Sequence, residues 1–192
     1  MKKSQSVKNN NGFIRIISGK HRGRKLPVKD VEGLRPTTDR VKETLFNWLM
    51  NDVRGTNVLD CFAGSGGLGF EALSRFAESV TFIEKDKSAA SQIKANIATL
   101  KSDNALVIED DALTALNKSA ERQFDLVFID PPFRKGLAEP ICQILETQKW
   151  LTDNALVYVE VETEILFTAP DNWTLLKDKE AGQVAYRLYS RR

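Results

Sequence analysis

The sequence predicts an α/β protein: a mostly parallel sheet covered by helices on both faces, closed by an antiparallel hairpin and preceded by a small hairpin-and-helix extension. Three observations carry this. From residue 57 onward, short and almost continuously apolar runs alternate with helical patterns, as in strands buried on both faces. A glycine-rich loop, GSGGLG (64–69), lies between the first such run and the first helix that follows it. Two final strand-like runs flank Ala181-Gly182, which reads as a hairpin on the edge of the sheet.

The elements follow in order. FIRIISGKHRGRKLPV (13–28) alternates apolar and polar residues on both sides of a Gly-containing turn, as a hairpin would. LRPTTDRVKETLFNWLM (34–50) reads as a helix. Thr37 or Thr38 can cap its start, and Val41, Leu45, Trp48 and Leu49 fall on one stripe. Arg35, Arg40 and Lys42 sit around its front. NVLDCF (57–62) is then a strand and GLGFEALSRF (67–76) a helix; VTFIE (80–84) is a second strand, with a helix near 87–101. ALVIE (105–109) is a third strand, and a short helix begins near Ala112. DLVFI (125–129) is a fourth, followed by a helix across 137–148, and ALVYVEVE (155–162) is a fifth. WTLLK (173–177) and VAYRLYS (184–190) form the closing hairpin. The expected organisation is a basic, disordered tail over 1–12, an extension over 13–56 and one main domain over 57–192.

Composition narrows the function classes. With 42% apolar and 28% charged residues in 192, the chain is ordinary for a soluble globular protein. No apolar run approaches the roughly 20 residues that span a bilayer, and no signal-type stretch follows the basic N-terminus, so a cytoplasmic location is expected. Cys61 and Cys142 make no metal or disulfide pattern, and the single His21 cannot build a metal cluster. The net charge of +2 hides an asymmetry. Residues 1–56 carry 13 Lys and Arg against 5 Asp and Glu, a net of +8; residues 57–192 carry 15 against 21, a net of −6. A basic arm beside a near-neutral body suits an acidic partner such as nucleic acid.

In VLDCFAGSGGLG (58–69), Gly64 to Gly69 match G-x-G-x-x-G, and Glu84 ends the next strand 20 residues after Gly64. Glycines permit a tight turn and close backbone approach, and the acid can accept from ribose hydroxyls. A nicotinamide dinucleotide and S-adenosylmethionine share this geometry. Asp60, just before the loop, would repel a pyrophosphate but suits a cationic amino-acid portion. The third strand ends in Glu109-Asp110-Asp111, where Asp111, or alternatively Asp110, could accept from an adenine amino group; a solvated loop with a capping Asp is the plainer reading of the same trio.

The fourth strand ends in Asp130-Pro131-Pro132-Phe133, at the edge of an open α/β sheet where ligands bind. An exocyclic amine on a base is a poor nucleophile because its lone pair is delocalised into the ring. Two fixed acceptors for its N–H groups, the Asp130 carboxylate and the Pro131 carbonyl, would turn that lone pair toward an electrophilic methyl. Phe133 would stack on the base, a contact worth roughly 1–3 kcal/mol. Orientation of this kind is worth up to about 7–11 kcal/mol, which gives the two prolines a reason to be stiff.

These blocks are recognisable. DPPF, VLDCFAGSGGLG and IEKD resemble motifs of S-adenosylmethionine-dependent amino-methyltransferases. Together with IRIISGKHRGRKLPV, GLRPTTDRVKETLFNWL, FIDPPFRKGL and AGQVAYRLY, they resemble the RsmD family of bacterial methyltransferases that modify a guanine N2 of 16S ribosomal RNA. The likeness runs from about residue 13 to the end. It implies a Rossmann-like, seven-stranded class I methyltransferase fold with an N-terminal extension that holds RNA, acting as a monomer on assembled or assembling small subunits, without metal or covalent intermediate. It also implies that Asp60, Gly64 and Gly66 shape the cofactor loop, Glu84 meets the ribose and Asp111 lies near adenine. Arg35, Pro36 and Thr37 would lie near cofactor and target, with Asp130, Pro131 and Phe133 on the target base.

Arg15, Lys20, Arg22, Arg24 and Lys25 could grip phosphates across the hairpin, and Arg134 and Lys135 could meet phosphates beside the target. His21 reads as a surface contact, Cys61 as a small buried residue, and Trp48, Trp150 and Trp173 as core or core-edge. DPPF alone would also fit DNA adenine-N6 methylation, although no extra segment for reading DNA bases is evident. A non-catalytic RNA-binding assembly factor is the alternative of a different class, against which the intact set Gly64, Glu84, Asp130 and Phe133 argues.

Overall fold

The structure, a computed structural model, describes residues 12–29 and 37–192. The expectations for Arg35, Pro36 and the tail up to residue 11 lie outside the described residues. The elements are β1 (Phe13–Arg15), β2 (Lys25–Pro27), α1 (Asp39–Trp48), β3 (Asn57–Asp60), α2 (Gly67–Ser74), β4 (Ser79–Ile83), α3 (Lys87–Thr99), β5 (Ala105–Ile108), α4 (Ala112–Leu116), β6 (Phe124–Ile129), α5 (Ala138–Thr147), β7 (Leu151–Glu162), β8 (Trp173–Ala181) and β9 (Val184–Arg191).

Seven strands form one sheet in the order β5-β4-β3-β6-β7-β9-β8. β3 to β7 run parallel, whereas β9 pairs antiparallel with β7 and with β8. The α/β class, the parallel sheet and the closing hairpin are therefore as the sequence predicts. Strand order reverses between β3 and β6, so the loops leaving their carboxyl ends face one crevice.

Side-chain alternation splits the core in two. Val58, Leu126, Phe128 and Tyr158 pack on one face with Leu45, Phe46 and Leu49 of α1 and Phe70 of α2. Leu59, Val127, Ile129, Val157 and Val159 pack on the other with Ile141, Cys142 and Leu145 of α5. Trp150 and Trp173 are buried and Trp48 is half-buried, stacked on Tyr186.

The N-terminal hairpin is shorter than the alternation suggests. β1 and β2 pair over only three residues each, with Ile14 opposite Leu26. Two further bonds, from Ile16 N to Arg24 O and from Gly23 N to Ile16 O, continue it. Ile17 and Ser18 then turn their amides away, donating to the Glu71 carboxylate of α2 at 2.8 and 3.0 Å. His21 N donates to Ser74 Oγ, and Lys20 N to Ser74 O. Gly19 makes this close approach possible: its φ is +82°, and a Cβ there would sit 1.9 Å from the Ser74 carbonyl oxygen.

One sequence reading of α1 is resolved and another changes. Thr38 is the cap, its hydroxyl accepting from Val41 N, and the helix ends at Trp48. The buried stripe is Lys42, Leu45, Phe46 and Leu49, so Lys42 belongs to the interior and not to the basic front. Its Nζ donates to Arg15 O at 2.5 Å and lies 3.8 Å from Glu71. No helix among the described residues is long and apolar enough to cross a membrane.

Candidate functional site

Period-2 alternation places three acids on one face. Val58 and Asp60 of β3 share a face, as do Phe128 of β6 with Asp130 just beyond it, and Tyr158 with Glu160 of β7. Register brings them to the same edge: Asp60 lies opposite Phe128, and Ile129 opposite Val159. Asp60, Asp130 and Glu160 therefore gather at the carboxyl ends of adjacent strands, on the α1–α2 face of the switch point.

The glycine loop closes the first side. Gly66 caps α2 with φ +81°, a left-handed position, and a Cβ on it would lie 2.6 Å from Phe70. Gly64 N donates to Glu84 Oε2 at 2.7 Å, and the other oxygen of Glu84 accepts from Asp86 N at 2.8 Å. Glu84 thus ties the end of β4 to both the loop and the start of α3. Asp60 is 2% exposed and accepts from Gly69 N at 3.2 Å. Burial pushes its carboxyl up to about 7; the amides of Gly69 and Phe62 oppose that rise and the Glu84 charge adds to it.

β6 ends at Ile129, before the two prolines, as the sequence predicts. Asp130 Oδ2 accepts from Thr37 Oγ1 at 3.1 Å. Asp130 and Glu160 face each other at the ends of β6 and β7, near enough for their charges to act on one another, and Tyr158 Oη donates to Glu160 Oε1 at 2.7 Å. Desolvation first, and then the Glu160 charge, raise the Asp130 carboxyl well above the usual carboxylate range. The same two causes hold Tyr158 protonated, so it remains a donor. The Pro131 carbonyl accepts no hydrogen bond from the described residues, leaving two acceptors side by side at the start of the turn.

The remaining predicted residues spread out from this centre. Phe133 follows the turn and is 41% exposed. Arg134 adopts φ +57° and donates its amide to Glu162 Oε1, while its guanidinium lies 3.9 Å from Glu164; Lys135 is exposed. Asp111 caps α4, with Oδ1 accepting from Leu113 N and Thr114 N, and Asp110 accepts from Asp111 N. Arg15, Lys20, Arg22, Arg24 and Lys25 are all exposed on the arm. Lys25 lies over the Phe13 ring and Arg24 reaches the Thr99 carbonyl. His21 is half-buried, and desolvation together with Lys20 and Arg24 lowers its pKa. Cys61 lies just past β3, fully buried, with its thiol pushed up by desolvation, so it is no nucleophile.

Sequence reading missed Glu160 and Tyr158, and it did not see that the Thr37 hydroxyl would meet Asp130. A signal existed: in ALVYVEVE, Glu160 takes the inward place of an alternating strand, where an unpaired acid has no stable position.

Comparison with known proteins gives a consistent picture. The sequence pattern of the family described as "Conserved hypothetical protein 95" matches residues 14–190. Ribosomal RNA small subunit methyltransferase D of Escherichia coli strain K12 is 55% identical over 181 residues, covering 94% of this chain and 91% of its own length. The protein of the same name from Haemophilus influenzae is 55% identical over 192 residues, covering 98% and 99%. The solved structure of yhhF from Escherichia coli superposes with a TM-score of 0.87 at 54% identity, over 94% of this chain and 98% of that one.

Proposed function

The chain belongs to the Conserved hypothetical protein 95 family, whose relatives above are small-subunit ribosomal RNA methyltransferases D, and from that premise we propose that it transfers a methyl group from S-adenosylmethionine to the exocyclic N2 of a guanine in 16S ribosomal RNA. The observation that carries this reading is the acceptor pair, Asp130 and the Pro131 carbonyl, held beside a glycine loop at the switch point. When bound, S-adenosylmethionine supplies an electrophilic methyl on a sulfonium centre.

The residues present fit such a cofactor. Asp60 is a buried carboxylate with amide donors on one side and, among the described residues, no ion pair to Lys or Arg, which leaves room for an ammonium group. Glu84, already fixed by two backbone amides, has lone pairs left for ribose hydroxyls. Asp111 uses only Oδ1 in its cap. Gly64 and Gly66 shape the loop, and Arg35 and Thr37 complete the proposed cofactor set. Asp130 and Pro131 orient the target amine, while the exposed Phe133 ring is free to stack on a guanine that is flipped or unpaired. Arg15, Lys20, Arg22, Arg24 and Lys25 would hold the ribosomal RNA backbone, with Arg134 and Lys135 nearer the target.

Asp60 yields a pH prediction. Burial pushes its carboxyl from the ordinary 3.8 up to about 7 in the folded chain, so its folding contribution, present at low pH, is lost as pH rises through about 7. A cofactor ammonium favours the ionised form. Cofactor affinity measured by calorimetry should therefore tighten from about pH 6 to about pH 8; an affinity flat over that range would remove Asp60 from this role.

The proposal is tested by methyl transfer from labelled cofactor to small-subunit particles lacking the modification, with naked RNA and duplex DNA in parallel. Label on N2 of a 16S guanine is the expected result. Label in DNA and not in ribosomal RNA would overturn it in favour of adenine chemistry.

A further inference from the structure

We infer that Glu160 and Asp130 act as one proton-sharing pair, in which Glu160 is the positioning residue that receives, through Asp130, the proton released when the target nitrogen is methylated. This rests on the methyl-transfer reading of the site. It adds to that reading the identity of the proton's route.

The geometry comes from the sheet. β6 and β7 pair in parallel with Ile129 opposite Val159, so the next residues, Asp130 and Glu160, face each other across the strands. Two buried carboxyl groups that face each other cannot both ionise without a large cost, so the pair shares a proton and carries one negative charge and not two. Each member is fixed on its far side by a hydroxyl donor: Thr37 Oγ1 to Asp130 Oδ2, and Tyr158 Oη to Glu160 Oε1. Among the described residues, the groups facing the pair are Tyr158 on β7, Asp60 on β3, Thr37 ahead of α1, and Tyr186 on β9 behind Tyr158. None of these is a cation. Burial and the Asp60 charge favour the proton-bound form of the pair, while the hydroxyl donors of Thr37 and Tyr158 oppose it.

The step balances. The bond from N2 to the methyl carbon forms as the carbon–sulfur bond of the sulfonium breaks, the bonding pair staying on sulfur. The nitrogen, now carrying one hydrogen too many, gives that proton to Asp130 Oδ2. The proton that Asp130 shared shifts onto Glu160, whose negative charge it cancels. One proton then leaves the neutral pair for water, and the singly charged pair is restored. A lone buried Asp130 would need no partner to accept a proton; with Glu160 attached, the charge sits one residue away from the reacting nitrogen, and Asp130 stays a fixed acceptor throughout.

The test uses the full chain carrying ¹³C-labelled Asp and Glu carboxyls. In the wild type, the Asp130 resonance should report a protonated acid at pH 7 that titrates above the ordinary range. In Glu160→Gln it should titrate lower, because the partner charge is gone. Single-turnover transfer by E160Q should fall roughly 10–100-fold, and its pH–rate profile should lose one of the two inflections of the pair. E160D, which still shares a proton, should recover part of the rate. An Asp130 that titrates as an ordinary carboxylate in the wild type overturns the proposal; so does E160Q with a slower rate and an unchanged pH profile, which makes Glu160 merely structural. If E160Q does not fold, Tyr158→Phe reads the same pair: loss of its donor should raise the titration of the pair, and an unmoved titration overturns the proposal. A wild type that transfers no methyl to RNA would sink the parent reading, while the carboxyl titration still decides whether the pair exists.

Discussion

Replacing Asp130 with Ala is expected to lower single-turnover methyl transfer by roughly a thousandfold or more, while cofactor affinity stays within several-fold. The rate expectation follows from two losses. On the proposed mechanism, the variant removes one of the two acceptors that would turn the target lone pair toward the methyl, and it removes the first stop on the proposed proton path; orientation and proton transfer are each worth factors of hundreds or more. The affinity expectation follows from position. Asp130 accepts from Thr37 and faces Glu160 at the end of β6, whereas the glycine loop is held by Glu84 and α2 by Asp60. Asp130→Asn separates the losses: its amide oxygen still accepts from the amine, but the charge shared with Glu160 is gone, so its rate should fall between those of D130A and the wild type. Calorimetry on D130A guards against a trivial result. Near-normal turnover by D130A would remove Asp130 from the chemistry.

What the sequence made legible, and what it hid, divides by the range of the forces involved. Strands β3, β4 and β6 were readable because burial on both faces leaves an apolar run, and the DPPF stop was readable because proline acts on its own neighbours. The glycine loop was readable for the same local reason. Glu160 was not, because its meaning depends on which strand lies beside β6 and in what register; a shift of one residue would have turned it to the other face. Asp111 was ambiguous for another reason: one carboxylate can cap a helix and meet a ligand together, and spacing does not separate the two roles. Lys42 misled outright. Its helical position sits on the buried stripe, yet a lysine normally marks the solvated face. Its buried partner, Glu71 of α2, lies too far along the sequence to be read from the helix itself, and it explains the place of Lys42.

That partner leads to the second large effect. Glu71→Ala should destabilise the fold by about 3–5 kcal/mol, because it leaves the buried Lys42 charge with only the exposed Asp39 carboxylate near it, at 3.9 Å. Glu71 is fully buried, and its carboxylate accepts from Ile17 N, Ser18 N and Arg75 Nε, with Lys42 Nζ at 3.8 Å. Desolvation already lowers the pKa of Lys42, and the Glu71 charge is the largest influence opposing it. For a chain of this size the loss corresponds to a fall in Tm of roughly 6–20 °C, measurable by calorimetry or circular dichroism. Adding Lys42→Met to E71A should restore part of it, since the stranded charge disappears, although the Ile17 and Ser18 amides still lack an acceptor. A fall of less than about 2 °C in E71A would show that the network contributes little. The functional consequence is directional. Glu71 and Ser74 are the points where the basic arm meets α2, and α2 begins at the glycine loop. E71A should therefore release the segment that carries Lys20, Arg22 and Arg24, weaken RNA binding and flatten its salt dependence, because fewer phosphates are then neutralised together. Cofactor affinity should change much less, since Gly64, Glu84 and Asp60 hold the other end of the helix on their own hydrogen bonds. An arm that bound RNA equally well in E71A, at a Tm lowered as expected, would show that its docking on α2 serves stability alone.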